Sequence, residues 1–300
     1  MLLLILLAWT TTPCALSFAP RQLPVYPTID PSLASVATTH TAAATQDGDP
    51  NKITVTFLCD TQFLSDAITD KDAPTTVGKF LQQTDSSLLL LMIGDEAANN
   101  NTIRSRSFDD ILDANEKELI LQQWTVQAQD FGAAVPTGAN TERICDLSTP
   151  AVSFPGFSIL SNIQLGVKYV ERGGSLGEYQ FVQLKDATEA KGLRALVWAH
   201  DKVTGKDTSS AVRGSQRARS YCTIRPIISD REGVQFQYKV FLEVQLRFPR
   251  MLVNLLPVRL KKVNAWGSNA LTKTVTQNGP PNLRRLYDAF QNYIEDNSRQ

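Results

Sequence analysis

Imidazoles and thiols are scarce in this chain of 300 residues, and that scarcity narrows the chemistry it can do. Histidine occurs twice, at His40 and His200, and cysteine four times, at Cys14, Cys59, Cys145 and Cys222. Imidazole titrates near neutral pH, so His200 is the candidate for proton transfer. Trp198 stands two residues before it and shares its parity, and Tyr179 is a further phenolic candidate. The cysteines form no Cys-x-x-Cys pair, so neither a zinc site nor a disulfide framework is expected. With a single histidine beyond the first fifty residues, a metal centre built on two or more imidazoles is excluded. No Gly-x-Gly-x-x-Gly fingerprint occurs, and Gly205-Lys206 is followed by Asp207 and lacks the glycine of a phosphate loop five residues before Gly205. Hydride and phosphoryl transfer lose their usual supports, and no resident cofactor is expected.

Charged clusters offer contacts rather than catalysis. Asp109, Asp110, Asp113, Glu116 and Glu118 lack any spacing that points to a cleft and suit a helix surface. Arg213, Arg217 and Arg219, with Lys202 and Lys206 nearby, form a basic loop suited to a solvated surface or a peripheral contact with an anionic membrane. Over the whole chain, 30 Lys and Arg balance 30 Asp and Glu, so no global field draws it to nucleic acid.

The elements that must position these residues are mostly strands. From Val234 to Phe248 every even residue is apolar and most odd ones are polar, the alternation of a strand with one buried and one wet face. At full extension it spans roughly 50 Å, so it must twist and curve, which points to an antiparallel sheet wrapped around something. Ile159 to Tyr169 alternates likewise, meets a turn at Arg172-Gly173-Gly174-Ser175, and resumes over Glu178 to Lys185 as the second arm of a hairpin. Further strand candidates are Ile53 to Leu58, Trp124 to Phe131, Gly192 to Lys202 and Ala218 to Ile228. Asp72-Ala73-Pro74 suits a helix start running towards Leu88 to Ile93. Gly279-Pro280-Pro281 is read as the start of a last helix whose apolar stripe is Leu283, Leu286, Tyr287, Phe290, Tyr293 and Ile294, with a first helical piece over Ala265 to Val275.

The N-terminal region speaks of location. Leu2 to Ala8 is a short apolar run, and Ala15 and Ser17 suit a signal-peptide cut before Phe18, giving a signal peptide over 1–17. Residues 18–51 are rich in Ala, Ser, Thr and Pro with few acids, as organelle transit segments are. The two in series, joined at Leu16-Ser17-Phe18-Ala19-Pro20, resemble the bipartite plastid presequences of algae with secondary plastids, reached through the secretory route. Asn100-Asn101-Thr102 is a glycosylation sequon that such a route can expose.

Strand, helix, antiparallel strands and a closing amphipathic helix follow the order of a helix-grip fold. The long strand Val234 to Phe248, the bend Leu255-Leu256-Pro257, then Trp266-Gly267-Ser268 and the stripe Leu283 to Ile294 resemble a START-like group of cyanobacteria and plastids within the polyketide cyclase and lipid-transfer superfamily. The resemblance covers 52–296 and implies an α+β fold in which a curved antiparallel sheet grips a long C-terminal helix. It also implies an apolar cavity holding a hydrophobic small molecule such as a lipid, isoprenoid, pigment or polyketide. It does not imply catalysis. Phe236, Tyr238, Val240 and Leu242 on the even face of the long strand, with Trp198 and His200, are the candidate ligand contacts, although that face serves equally to pack a core. Two alternatives stand beside a non-catalytic binder: a START-like cyclase, hydrolase or isomerase using His200 or Tyr179, and an assembly factor for a thylakoid complex.

Overall fold

A computed structural model of the chain describes residues 52–83, 102–148, 152–154, 157–171, 176–194, 197, 216–228, 233–249 and 260–299. The presequence, the Leu88 to Ile93 run, the Arg172 to Ser175 turn, Trp198, His200, Arg213 and the Leu-Leu-Pro bend lie outside them.

In chain order the elements are β1 (Lys52–Leu64), α1 (Ala73–Gln82), β2 (Thr102–Ser107), α2 (Ala114–Phe131), β3 (Arg143–Ser148), β4 (Val152–Phe154), β5 (Phe157–Val170), β6 (Glu178–Gly192), β7 (Gln216–Ile228), β8 (Val234–Pro249) and α3 (Leu260–Ser298). The protein is α+β, with one large antiparallel sheet in the order β1-β8-β7-β6-β5-β3-β2, β4 pairing with the start of β5, and a C-terminal helix. The expected long strand and the β5–β6 hairpin are both present, the hairpin running from Phe157 opposite Gly192 to Val170 opposite Glu178.

Alternation gives the sheet two apolar faces, each with its own core. Thr61, Val240, Cys222, Phe181 and Val167 form one row across five strands, so they share a face. On that inner face α1 and α3 pack. Phe290 of α3 lies 5.1 Å from Phe80 of α1 and meets Phe236 of β8 edge-on at 5.5 Å, all three rings buried. Neighbouring residues of opposite parity, Ile144, Val182 and Leu184, join Phe108, Ile120, Trp124 and Ala128 in a second core, which places α2 on the outer face. The sheet is thus a shared middle layer.

Three sequence expectations are corrected. Trp124 to Phe131 is the second half of α2, not a strand: Ile120, Trp124 and Ala128 recur every fourth residue and are the buried stripe of that helix. Asp113 caps its N-terminus by accepting from the Asn115 N–H at 2.9 Å, and Gly132 ends it in the left-handed region at φ 64°. Gly279-Pro280-Pro281 does not start a helix but lies inside α3. A Cβ on Gly279 would stand 2.7 Å from Cε2 of Phe63, so the helix backbone approaches β1 closely here. Of the strand expected over Gly192 to Lys202, the described residues are Gly192 to Arg194 and Val197; among them only Gly192 belongs to a strand, and the Val197 N–H donates to the Leu193 carbonyl at 3.0 Å as in a helical turn.

The link from α2 to β3 is tied down by one buried carboxylate. Glu142, 1% exposed, accepts from the N–H of Thr137 and of Gly138 at 2.9 and 2.8 Å, and from the Lys168 ammonium of β5 at 2.8 Å. Burial opposes its charge, but these donors outweigh that cost and hold its carboxyl below the usual range.

Candidate functional site

The face of the sheet beneath α3 carries the β8 residues that the sequence marks for ligand contact. Register places Cys59, Thr61 and Phe63 of β1 beside Leu242, Val240 and Tyr238 of β8, and these beside Ser220, Cys222 and Ile224 of β7. By alternation, the inner positions of these three strands from end to end carry no Asp, Glu, Lys or Arg. Above them α3 is two-sided along its length. Its first half brings buried Asn264 and Ser268 and partly buried Thr272, whereas its second half brings Leu283, Leu286, Phe290 and Ile294. Ser268 Oγ accepts from the Leu58 N–H at 3.0 Å, so the first half of α3 also satisfies a backbone donor on the free edge of β1.

Within this layer the titratable groups stay neutral at physiological pH. Burial pushes the Cys222 thiol up to about 12 and the Tyr238 phenol well above its ordinary value. Cys59 is raised by the same cause in spite of a hydrogen bond with Thr272. Cys145, on the inner face of β3, is pushed up to about 11. The Tyr238 hydroxyl donates to Cys222 Sγ at 3.9 Å, and its ring lies against Phe63 with centroids 6.1 Å apart.

Dehydration and exposure part company at two of these residues. Cys222 and Tyr238 are desolvated enough to shift their protons strongly, and yet both keep accessible surface, as does Leu242. Phe236 and Val240, by contrast, are 0% and 6% exposed and belong to packed core. Two strands from Cys222 in the same row, across Val240, stands Thr61, 2% exposed, whose Oγ1 has no hydrogen-bond partner. Near the Phe63 end, a small open cleft of about 40 Å³ lies between Phe63, Pro280, Leu283 and Tyr287.

Trp198 and His200 lie outside the described residues. Tyr179 is buried with its hydroxyl donating to the Gln83 carbonyl at 3.2 Å, which ties β6 to the end of α1. Of the basic loop, Arg217 lies in β7. Arg219 lies on the outer face, bridging Asp130 at 3.1 Å and Glu243 at 3.0 Å with its guanidinium 5.2 Å from the Phe131 ring centre. Gly173-Gly174-Ser175-Leu176-Gly177 has the spelling of a nucleophile elbow, but it joins two antiparallel strands, whereas an elbow joins strand to helix. Sequence reading stops β1 at Leu58 and so passes over Thr61. The alternation of Val55, Phe57, Cys59, Thr61 and Phe63 was the signal that carried the strand further.

Fold and site together describe an α+β protein whose antiparallel sheet turns an uncharged face, along β1, β8 and β7, towards its C-terminal helix. The chain matches no protein-family model and no curated protein. Among the described residues no helix is long and apolar enough to cross a membrane, and no three His, Cys, Asp or Glu side chains group as metal ligands.

Proposed function

We propose that this protein binds a hydrophobic small molecule, of the lipid, isoprenoid or pigment class, between the inner face of its sheet and α3, in the manner of a helix-grip carrier and without catalysing a reaction on it. The observation that carries this reading is the uncharged inner face of β1, β8 and β7 beneath α3, on which Cys222, Tyr238 and Leu242 keep accessible surface. A sheet in which the first strand lies beside the last, followed by a long C-terminal helix across its inner face, supports the helix-grip comparison. The protonated state of Cys59, Cys145, Cys222 and Tyr238 supports binding over reaction, because a thiol must ionise to attack. The resemblance of residues 1–51 to a bipartite presequence supports a plastid location for this binder.

Native mass spectrometry of the purified chain after incubation with a chloroplast lipid extract tests the proposal. A discrete adduct that is lost on extraction with organic solvent is expected. Bare protein throughout, with an experimental structure whose interior is closed around Tyr238, would overturn it.

A further inference from the structure

We infer that the solvent face of α2 docks a basic amphipathic helix of a partner protein, with Leu112, Leu119 and Val126 as its apolar seam and Glu116 and Glu118 as its flanking charges.

The seam follows from the periodicity of α2 on the side away from the sheet. Ile120, Trp124 and Ala128 turn one face of the helix into the outer core. Leu119 stands about two and a half turns before Ala128 and therefore on the opposite face, where it is 57% exposed. One heptad on, Val126 is 51% exposed, and one heptad back, Leu112 is 97% exposed. Leu112 directly precedes the Asp113 cap, a place from which an apolar residue ordinarily packs on the fourth residue of the helix. Here that residue is Lys117, whose ammonium lies 5.7 Å from the Phe108 ring centre, and Leu112 receives no cover. Single exposed apolar side chains are ordinary on a protein surface. Three at heptad steps form the seam into which a second helix sets its own apolar side chains. Asn115, Gln122 and Gln129, the intervening positions of that face, keep it uncharged.

Charge selects the partner, because the positions beside such a seam decide which helices pair. On α2 they carry Glu116 and Asp130 along one side and Glu118 along the other, and no base. The helix has one lysine, Lys117, and it is turned towards Phe108 and away from the seam. Arg106 reaches Glu116 at 3.3 Å and Arg219 reaches Asp130 at 3.1 Å, which leaves Glu118 as the flanking acid without a partner among the described residues. A second copy of this chain would bring acids and no base to these flanks in either orientation. The seam thus disfavours itself and fits a helix flanked by Lys or Arg.

Fluorescence anisotropy with the full chain and two labelled probe peptides tests the inference. Both probes are three-heptad helices with leucine at each heptad step; one carries Lys on both flanks and the other Glu. At about 0.1 M salt the Lys-flanked helix is expected to bind at least tenfold more tightly than the Glu-flanked one. Leu119→Ala and Val126→Ala should each weaken it about 3- to 10-fold, and Glu118→Gln should weaken it about 2- to 5-fold and flatten its salt dependence. These side chains are exposed, so the variants should unfold thermally as the parent chain does, which separates lost docking from lost fold. Equal affinity for the two probes, no binding of either, or full binding retained in both alanine variants would overturn the inference. Self-association of the parent chain in sedimentation equilibrium that Leu119→Ala abolishes would assign the face to a second copy and overturn the choice of partner.

Discussion

The indole of Trp124 lies on the backbone of Gly166: a Cβ at Gly166 would meet Cδ2 and Cε2 of that ring at 2.5 Å. The outer helix α2 reaches the sheet through this contact, so a side chain on β5 at that position and a tryptophan on α2 exclude each other. Gly166→Ala is expected to cost about 1–3 kcal/mol through overpacking. Trp124→Phe in the same chain should recover part of the loss. Thermal unfolding of the two single variants and the double variant measures it, and equal stability of Gly166→Ala and the parent chain would refute the contact's importance.

Glu142 makes stability depend on acid. Its folded pKa lies below that of a free side chain, so its contribution is complete above the unfolded value of about 4.3 and is lost as pH falls through the lower folded value. Glu142→Gln removes the charge that Lys168 meets and is expected to destabilise the protein by about 3 kcal/mol at pH 7. Urea unfolding from pH 7 down to pH 3 should show a shallower acid decline for Glu142→Gln than for the parent chain.

Cys145 works in the opposite direction. It is fully buried, and its folded pKa of about 11 exceeds the unfolded value of about 8.5, so the stability it carries is whole below that value and falls as pH rises towards 11. Cys145→Ala should flatten the alkaline limb of the stability curve. In the native parent chain at pH 8 this thiol should resist an aromatic disulfide reagent that labels it at once in urea; rapid native labelling would contradict the burial.

Location is tested by a reporter fused to Met1 through Asn51. Entry into the plastid is expected, with Phe18→Ala stalling the fusion in an outer compartment and deletion of Leu2 to Leu7 leaving it in the cytosol. Secretion of the unmodified fusion would overturn plastid targeting and retain the signal step.

Much of the sheet was legible because its signals are local. Val234 to Phe248 alternates without a break, and Ile159 to Tyr169 with Glu178 to Lys185 announces a hairpin by two alternating arms around a glycine turn. What misled were residues whose local preference is overruled by packing. Trp124, Val126 and Phe131 favour strands, yet the four-residue recurrence of Ile120, Trp124 and Ala128 lets one face of a helix cover Gly166. Pro280 and Pro281 favour a helix start, yet the close approach of Gly279 to Phe63 and the stripe beyond it hold the helix continuous. Of the candidate site, the even face of β8 was legible from its alternation. Thr61 and Cys222 were not, because they enter only through the registers of β1 and β7 against β8.

The pairing of β1 with β8 also governs the order in which the molecule can assemble. Lys52 stands opposite Pro249 and Leu64 opposite Gln237, so among the described residues β1 finds its sheet partner near the far end of the chain. The β5–β6 and β7–β8 ladders are nearer in sequence and cost less chain entropy to close. Local hairpins therefore form a platform early, and β1 docks last, together with the helix that covers its inner face. Until a ribosome has released β8, β1 has no edge to pair with, so its backbone groups stay bonded to water through most of synthesis.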